Sequence, residues 1–478
     1  MLNLLNRSFS LKADYLLTAI NGIAVLLSVL LLNGLIARMY GLEILGEFLL
    51  VRRTVFAMMG ILLLGMNIGL PSLIGGSTGG KYEGSSLIIF IIYSLPSISI
   101  ILYYLGSQNI AGYNSENVWA YYAFTIGVSS QYLIYSLYRG YLKMLGANCL
   151  HFLGTALIPI LVFLNTGNLN IAMMVIGISI LIVNIIAFIM LDGGMKKMVA
   201  DVQHLKNVVR FGSERIVSFI SQFVLLAGAP ILISIDNSYS DLAYFNSLIS
   251  LVRIMLFVVG PLGIVLLPRV SKAVEENNLA SLSLGLNNLL KLALIFGGLI
   301  AVFLSSTGAI ILELWLGTIS STGKWMAQVM LLSIPLYLIV EILRSPIDGL
   351  SKRGYNSIIY LISAIALIGS YYGLIYFGVS ALKAGVFCFI IGYLFASVGS
   401  LIILKKLTST NLPSIIFFTS YAVFLALVYW GLNLVDIYLT SFALVILIKL
   451  SVFSLLGLFL LHKNRSLIEQ LNLLSKGL

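Results

Sequence analysis

Charged side chains are scarce in this sequence. Asp, Glu, Lys and Arg make up 9% of its 478 residues, whereas hydrophobic residues make up 60%. A soluble globular domain carries about 25% charged residues. This chain therefore has too few charges to cover a water-facing surface, which excludes a soluble globular protein. We expect an integral membrane protein instead.

Cysteine and histidine are also rare, with two and three copies. Cys149 and Cys388 lie far apart in or beside apolar runs, so we expect helix packing and no disulfide or metal site. The glycine-rich stretch GGSTGGK lacks nucleotide-binding spacing because Tyr82 follows its lysine. We therefore expect no cofactor and no catalytic residue.

Long apolar runs are abundant, and each membrane span needs about 20 apolar residues. The first residues, MLNLLNRSFSLKADYLL, do not resemble a cleaved signal peptide, because no small-residue cleavage site follows a short apolar core. The remaining pattern predicts an all-α protein with fourteen transmembrane helices. The predicted segments are 14–37, 46–73, 86–106, 118–138, 149–165, 170–191, 212–235, 242–268, 284–306, 325–348, 356–377, 382–404, 412–432 and 437–461.

The basic residues indicate the orientation of these spans. With the N-terminus inside, eighteen of the 28 Lys and Arg residues fall in inner segments, and only Arg38, Lys324 and Lys383 fall in outer ones. Cytoplasmic loops of membrane proteins collect Lys and Arg. The pattern therefore predicts a multi-pass membrane protein with both termini cytoplasmic. It also argues against nucleic acid as a partner, despite the net charge of +11.

Seven basic residues remain inside the predicted spans. If all of them faced lipid, they would cost roughly 20 kcal/mol together. Lys449 is set aside because a lysine there can extend its amine towards an interface. The candidates for a cationic cavity that binds an anionic substrate are Arg52, Arg53, Arg215, Arg253, Lys291 and Arg344.

Two acidic residues accompany these candidates. Glu214 directly precedes Arg215, and Glu341 lies three residues before Arg344, on the same helix face. Each acid is either a counter-ion to its neighbouring arginine or a group that responds to a coupling proton or ion. We favour counter-ions.

A weak internal repeat relates the two halves of the chain. Leu-Val-Arg occurs at 50–52 in span 2 and again at 251–253 in span 8. Gly140 and Gly349 occupy equivalent loops after spans 4 and 10. The repeat predicts two pseudo-symmetric six-helix lobes, with two additional helices at the C-terminus. The expected domain boundaries are 1–210, 211–406 and 407–478.

The repeat places Arg52 and Arg253 at matched positions. We expect them to face each other across a cleft between the halves, with Arg53 about 100° away from Arg52 on its helix. Arginine grips a phosphate with two parallel hydrogen bonds. A cationic cleft within a membrane therefore indicates a phosphorylated or otherwise anionic cargo.

Several stretches resemble the Wzx-type O-antigen and polysaccharide flippases of the MOP (multidrug/oligosaccharidyl-lipid/polysaccharide) superfamily. They are LIARMYGLEILGEFLLVR, LGMNIGLPSLIGG, VVGPLGIVLLPRVSKAVEENN, ILELWLG and FGVSALKAGVFCFIIGYLF. The resemblance covers nearly the whole chain, and the third stretch is its most specific part.

The resemblance implies that the protein flips undecaprenyl-pyrophosphate-linked oligosaccharide from the cytoplasmic to the periplasmic leaflet. It implies alternating access of two lobes around a basic cavity, with the last two spans helping to form a groove for the prenyl tail. It further implies the lipid bilayer, an O-antigen polymerase and a chain-length regulator as partners. No bond is broken, so the resemblance implies no enzymatic activity.

Two other functions stay open. A cation-coupled drug antiporter of the same superfamily would need acidic residues deep in spans 1–6, where Asp14 and Glu47 lie only at span ends. A membrane-embedded O-antigen polymerase or ligase would need a large outer loop with functional Arg and His. The predicted outer loops are short, and His151, His204 and His462 all fall on the inner side.

Overall fold

A computed structural model describes most of the chain, and the described residues form helices without a single β-strand. The described residues are 11–75, 82–191, 201–235, 238–255, 270, 274, 279–351, 353–408, 415–438 and 442–466. The first half contains α1 (Leu11–Tyr40), α2 (Leu42–Leu62), α3 (Met66–Gly75), α4 (Glu83–Ser107), α5 (Val118–Gly140), α6 (Met144–Asn165), α7 (Leu169–Met190), α8 (Val202–Ser213) and α9 (Ile216–Ser234). The second half contains α10 (Tyr239–Ile254), α11 (Leu279–Leu316), α12 (Ser321–Leu350), α13 (Tyr355–Tyr376), α14 (Ala381–Thr408), α15 (Ile415–Tyr438) and α16 (Phe442–Lys463).

Ten of these helices are long and apolar enough to cross a membrane, and α2 with α3 adds an eleventh span if the bent pair counts as one. Three other predicted spans also coincide with helices. The segment 118–138 matches α5, which is long but rich in polar residues. The segment 412–432 matches α15, which is apolar over Ser420–Asp436. The segment 242–268 begins in α10, and its second half lies outside the described residues. A multi-pass all-α membrane protein is therefore confirmed, while the count of fourteen stays a prediction.

The chain divides into two compact units, Met1–Ala243 and Tyr244–Leu478. In the first unit, α9 packs against α2. The predicted domains 1–210, 211–406 and 407–478 describe lobes of a pseudo-symmetric transporter, and they stay a prediction.

The predicted span 46–73 consists of two helices that meet at 47°. Leu64 has a left-handed φ of 49°, and the amide of Gly65 donates to the carbonyl of Gly60 at 2.8 Å. This is the hydrogen bond of a Schellman C-cap, in which a left-handed residue ends the helix and glycine usually occupies that position. The cap therefore ends α2 in the middle of a continuous apolar run.

The short helix α8 packs on this break. A Cβ atom added to Gly212 would stand 2.2 Å from the carbonyl oxygen of Leu64. A Cβ added to Gly69 would stand 2.6 Å from the ring of Phe211. Only residues without side chains allow so close an approach, so these glycines fix α8 against the bent span.

Three spans of the first unit contain a π-helical turn, and a proline follows two residues after each turn ends. Proline lacks an amide hydrogen, and its ring collides with the carbonyl one turn earlier. A π turn widens the helix by one residue there and relieves the collision. The turns are Phe90–Ser94, Leu153–Leu157 and Val224–Gly228, and the prolines are Pro96, Pro159 and Pro230.

Lys449 of α16 does not extend to an interface. Its side chain is fully buried, and Nζ lies 2.8 Å from the carboxylate of Asp436 in α15 and 2.8 Å from the carbonyl oxygen of Ser306 in α11. The ring of Phe303 in α11 also packs on Phe453 in α16, with centroids 4.5 Å apart. These contacts bind the last two helices to α11 within the second unit.

Candidate functional site

Arg52 lies near the middle of the 21-residue helix α2, between two aromatic rings one turn away in either direction. Its guanidinium carbon is 5.8 Å from the ring centroid of Phe48 and 5.3 Å from that of Phe56. Cations are attracted to the faces of such rings, and the attraction increases when water is excluded. The rings hold the charge without using any of its N–H groups.

The environment of Arg52 contains no compensating acid within the part of the chain that the structure describes. Over the same residues, no protein oxygen accepts a hydrogen bond from its guanidinium. The Arg52 side chain is partly exposed. All five N–H donors of the arginine fork are therefore available to a ligand.

Two residues that the sequence did not propose for the site lie near Arg52, and a third lies near one of them. Tyr132 of α5 is near its guanidinium, and the Tyr132 ring meets Phe56 edge-on at 5.8 Å. His151 of α6 lies within electrostatic range of Arg52 and of Arg139 in α5. This cluster belongs wholly to the first unit.

Arg253 lies in the last described turn of α10, in a different environment. The hydroxyl of Tyr337 lies within hydrogen-bonding reach of its guanidinium, and Tyr393 and Glu341 are nearby. The rings of Tyr337 and Tyr393 are 5.4 Å apart. The Arg253 side chain is exposed.

Arg344 of α12 lies near Glu341, the carboxylate that also acts on Arg253. It is half-buried, close to Tyr360, Glu341 and Asp348. Asn356 links this region by donating to the carbonyl oxygen of Arg344 at 2.9 Å and to Asp348 at 2.7 Å. The structure therefore brings Arg253, Arg344 and Glu341 together in the second unit.

The two units thus handle their buried charges differently. Within the second unit, Glu341 acts on both Arg253 and Arg344, and Asp348 also acts on Arg344. In the first unit, no described carboxylate acts on Arg52. An uncompensated cation inside a membrane is costly unless function uses it. The first unit therefore offers the stronger attraction for an anion.

Glu214 and Arg215 lie just before α9 and do not pair with each other. Arg210 donates to Glu214 at 2.8 Å on the exposed surface. That hydrogen bond holds the pKa of the Glu214 carboxyl below its usual range. Arg215 instead covers the ring of Phe211 at 3.9 Å and donates to the Phe211 carbonyl at 3.3 Å. Neither side chain joins the clusters around Arg52 or Arg253.

Arg53 and Lys291 are the remaining candidates. Arg53 follows Arg52 on α2 and is half-exposed. Lys291 is half-buried in the first half of α11. Among the residues with described positions, no group of three or more His, Cys, Asp or Glu side chains could hold a metal ion.

Comparison with known proteins gives no match to a family model or to a curated protein at significant similarity. Solved structures do match. One is the lipid II flippase MurJ in an inward-closed conformation, with a TM-score of 0.66 and 16% identity over 94% of this chain and 99% of that one. A multidrug resistance MATE transporter of the MOP superfamily, in an outward-facing conformation, matches with a TM-score of 0.55 and 15% identity over 86% and 99% of the two chains.

This chain has the fold of the MOP transporters. A MOP-superfamily transporter from Pyrococcus furiosus matches as well, with a TM-score of 0.57 and 15% identity over 86% of this chain and 98% of that one. At these identities the likeness establishes the MOP fold alone. The expected superfamily fold is therefore confirmed, and the Wzx-type group within it stays a prediction. The MOP neighbours are transporters and flippases, not enzymes.

Proposed function

We propose that this protein flips undecaprenyl-pyrophosphate-linked oligosaccharide, such as an O-antigen repeat unit, from the cytoplasmic to the periplasmic leaflet of a bacterial inner membrane. It does so by alternating access around a cationic central cavity. Its partners are the lipid-linked glycan, the bilayer and, in this proposal, an O-antigen polymerase and a chain-length regulator. The solved structure of a lipid II flippase has the same fold, which supports a lipid-linked cargo.

One observation supports this proposal above the others. Arg52 presents an uncompensated guanidinium near the middle of an apolar helix, with its ring neighbours on α2 and its N–H groups unused. Such a group suits a pyrophosphate, because the planar fork forms two parallel hydrogen bonds to phosphate oxygens. The positive potential would also draw an anionic headgroup out of the leaflet.

Arg253 has the second role in this proposal. It binds an anionic group within the second unit, while Tyr337 orients its guanidinium and Glu341 balances part of its charge. Glu341 serves as a counter-ion, as does Glu214 towards Arg210. Arg53, Arg215, Lys291 and Arg344 shape the surrounding potential.

The test is complementation of a flippase-null strain, scored by surface polysaccharide. We expect Arg52→Ala and Arg253→Ala each to abolish or sharply reduce the polysaccharide at normal protein levels. The Lys variants should rescue partly, because the charge survives and the bidentate fork does not. Lys206→Ala is the control, since Lys206 is exposed on α8. Full activity in the Arg52→Ala, Arg253→Ala double variant would falsify the cleft hypothesis.

A cation-coupled drug antiporter is the second candidate, and one side chain favours it. Glu47 is half-buried in α2, where it accepts hydrogen bonds from the hydroxyl of Tyr121 and, at 3.3 Å, from the amide of Asn117. A carboxylate in that setting could exchange a proton or a cation. Cells expressing the protein should then export a cationic dye in a manner that Glu47→Gln abolishes. Dye accumulation equal to that of empty-vector cells would remove this candidate.

A further inference from the structure

A row of hydrogen-bond donors follows one face of α5 in the first unit. Tyr132, Tyr135 and Arg139 are spaced three and four residues apart, which places them on the same side of the helix. The guanidinium carbon of Arg139 is 5.4 Å from the ring centroid of Tyr135. The Tyr135 ring is in turn 5.4 Å from the ring of His151 in α6. Aromatic contacts therefore connect the two basic groups.

His151 presents one ring nitrogen to the protein and leaves the other available. The amide nitrogen of Asn21 in α1 contacts Nδ1 of His151 and the side-chain oxygen of Asn148, both at 3.4 Å. Asn148 in turn donates to the hydroxyl of Thr18 at 3.1 Å. Because an amide nitrogen can only donate, Nδ1 of His151 is the acceptor in its contact with Asn21, which leaves Nε2 to carry the proton of a neutral ring. Within the described part of the chain, Nε2 has no protein partner.

The three donors differ in depth along the helices. Arg139 lies in the last turn of α5, and His151 lies about two turns into α6. Arg52 lies near the middle of α2. The predicted topology puts the end of α5 and the start of α6 at the cytoplasmic surface. The donors therefore rise from that surface to the middle of the unit, with His151 within electrostatic range of both arginines.

Arg139 matches Arg52 in how its charge is held. Its side chain is exposed, it covers an aromatic ring, and over the described residues no protein oxygen accepts from its guanidinium. An arginine that only set the membrane topology would not need to cover an aromatic ring. It would also not need a histidine donor between it and a deeper arginine. The arrangement instead suits successive binding of one phosphate group by one donor after another.

We propose that Arg139, His151 and Arg52 form a stepped track that carries an anionic phosphate or pyrophosphate headgroup from the cytoplasmic surface to the centre of the first unit. This inference rests on the proposed function and names further binding residues for it. Arg139 captures the headgroup, the Nε2–H of His151 donates to it in transit, and Arg52 holds it at the deep end. Tyr135 positions both Arg139 and His151.

The experiment measures binding of farnesyl pyrophosphate to the purified full-length protein in nanodiscs, with farnesol as the neutral comparison. We expect Arg139→Gln and His151→Phe each to weaken binding roughly tenfold, which corresponds to about 1.4 kcal/mol. His151→Gln should bind as the wild type does, because an amide also accepts from Asn21 and donates to the ligand. The affinity of Arg139→Lys should lie between those of the wild type and Arg139→Gln. If Arg139→Gln does not fold, the affinity of Arg139→Lys tests the role of Arg139 in its place.

The control variant is Lys206→Gln, which removes an exposed cation from the same unit and should leave affinity unchanged. If Arg139→Gln and His151→Phe bind as tightly as Lys206→Gln while Arg52→Ala loses binding, the track is wrong and the proposed function stands. If the wild type binds farnesyl pyrophosphate no better than farnesol, the proposed function itself fails. Inorganic pyrophosphate binding as tightly as the prenyl compound would indicate a site for free anions.

Discussion

Lys449 and Arg52 are both basic residues well inside an apolar helix, and the protein accommodates their charges in opposite ways. Every polar contact of Lys449 is internal, to Asp436 and to the Ser306 carbonyl. Among the described residues, Arg52 packs against the aromatic rings of Phe48 and Phe56, and no protein oxygen accepts from its guanidinium. The first arrangement joins helices, whereas the second leaves a charge ready for a ligand.

The two single substitutions that break the Lys449–Asp436 pair should differ in how much stability they cost the protein. Lys449 is fully buried, while the side chain of Asp436 is 44% exposed. Asp436→Asn leaves a buried, unpaired charge, and we expect it to destabilise the protein by roughly 3–5 kcal/mol. Lys449→Met leaves a carboxylate that water can reach, so its cost should be smaller. Thermal unfolding in detergent, followed by tryptophan fluorescence, measures the difference.

The double variant Asp436→Asn, Lys449→Met is the control for this pair. It removes both charges, so it should regain most of the stability that Asp436→Asn loses. A double variant no more stable than Asp436→Asn would mean that packing, and not charge pairing, holds α15 and α16 against α11.

The sequence marked Arg52 and Arg253 as candidates because arginine is rare in apolar runs, and their role in binding stays a prediction. It missed His151 and Arg139 for a physical reason: both lie near loop ends, where basic residues are expected for topology alone. Tertiary packing brings His151 beside α5 through contacts to Asn21 and Tyr135. The spacing of Tyr132, Tyr135 and Arg139, three and four residues apart, was the signal in the sequence that places them on one helix face.

Among the helices, the break between α2 and α3 depends on a close approach of α8. The carbonyl of Leu64 and the backbone of Gly212 meet where no side chain fits. We expect Gly212→Ala to destabilise the protein by roughly 1–3 kcal/mol, because the added methyl must displace backbone. The midpoint of thermal unfolding reports the change.

Gly369→Ala is the matched control for this substitution. A Cβ at Gly369 meets no atom within 4 Å in α13. Alanine favours the helix over glycine by roughly 0.5–1 kcal/mol, so this variant should be neutral or slightly more stable. Equal unfolding midpoints for the two variants would show that α8 does not depend on close backbone contact.

Apolar run lengths located the helices well, because a span must exceed about 20 residues. They did not reveal the break within 46–73. Gly65, with a φ of 71°, is the local signal of a helix end, but glycine is common in membrane helices, and Leu64, which holds the left-handed cap position, gives no such signal. The helices α8 and α9 pack against that turn, and a sequence pattern does not show this long-range contact.

For the whole molecule, the charge distribution makes a direct prediction. Both termini should be cytoplasmic, since eighteen Lys and Arg residues fall in inner segments and three in outer ones. An alkaline phosphatase fused after Leu478, active only in the periplasm, should be inactive, and a fluorescent protein fused there should be bright. Phosphatase activity at that position would overturn the predicted orientation of the last span.

The π turns in three spans of the first unit affect how each of these spans tolerates the loss of one residue. Each turn already holds one residue more than a regular α-helical turn. Deleting that residue would return the span to a regular α-helix, and the side chains beyond it would keep nearly the same direction, because the wider π turn already takes up the extra residue's rotation of about 100°. A single lost codon would therefore preserve the helix faces that meet the neighbouring spans, and its cost would be that the proline ring again collides with the preceding turn.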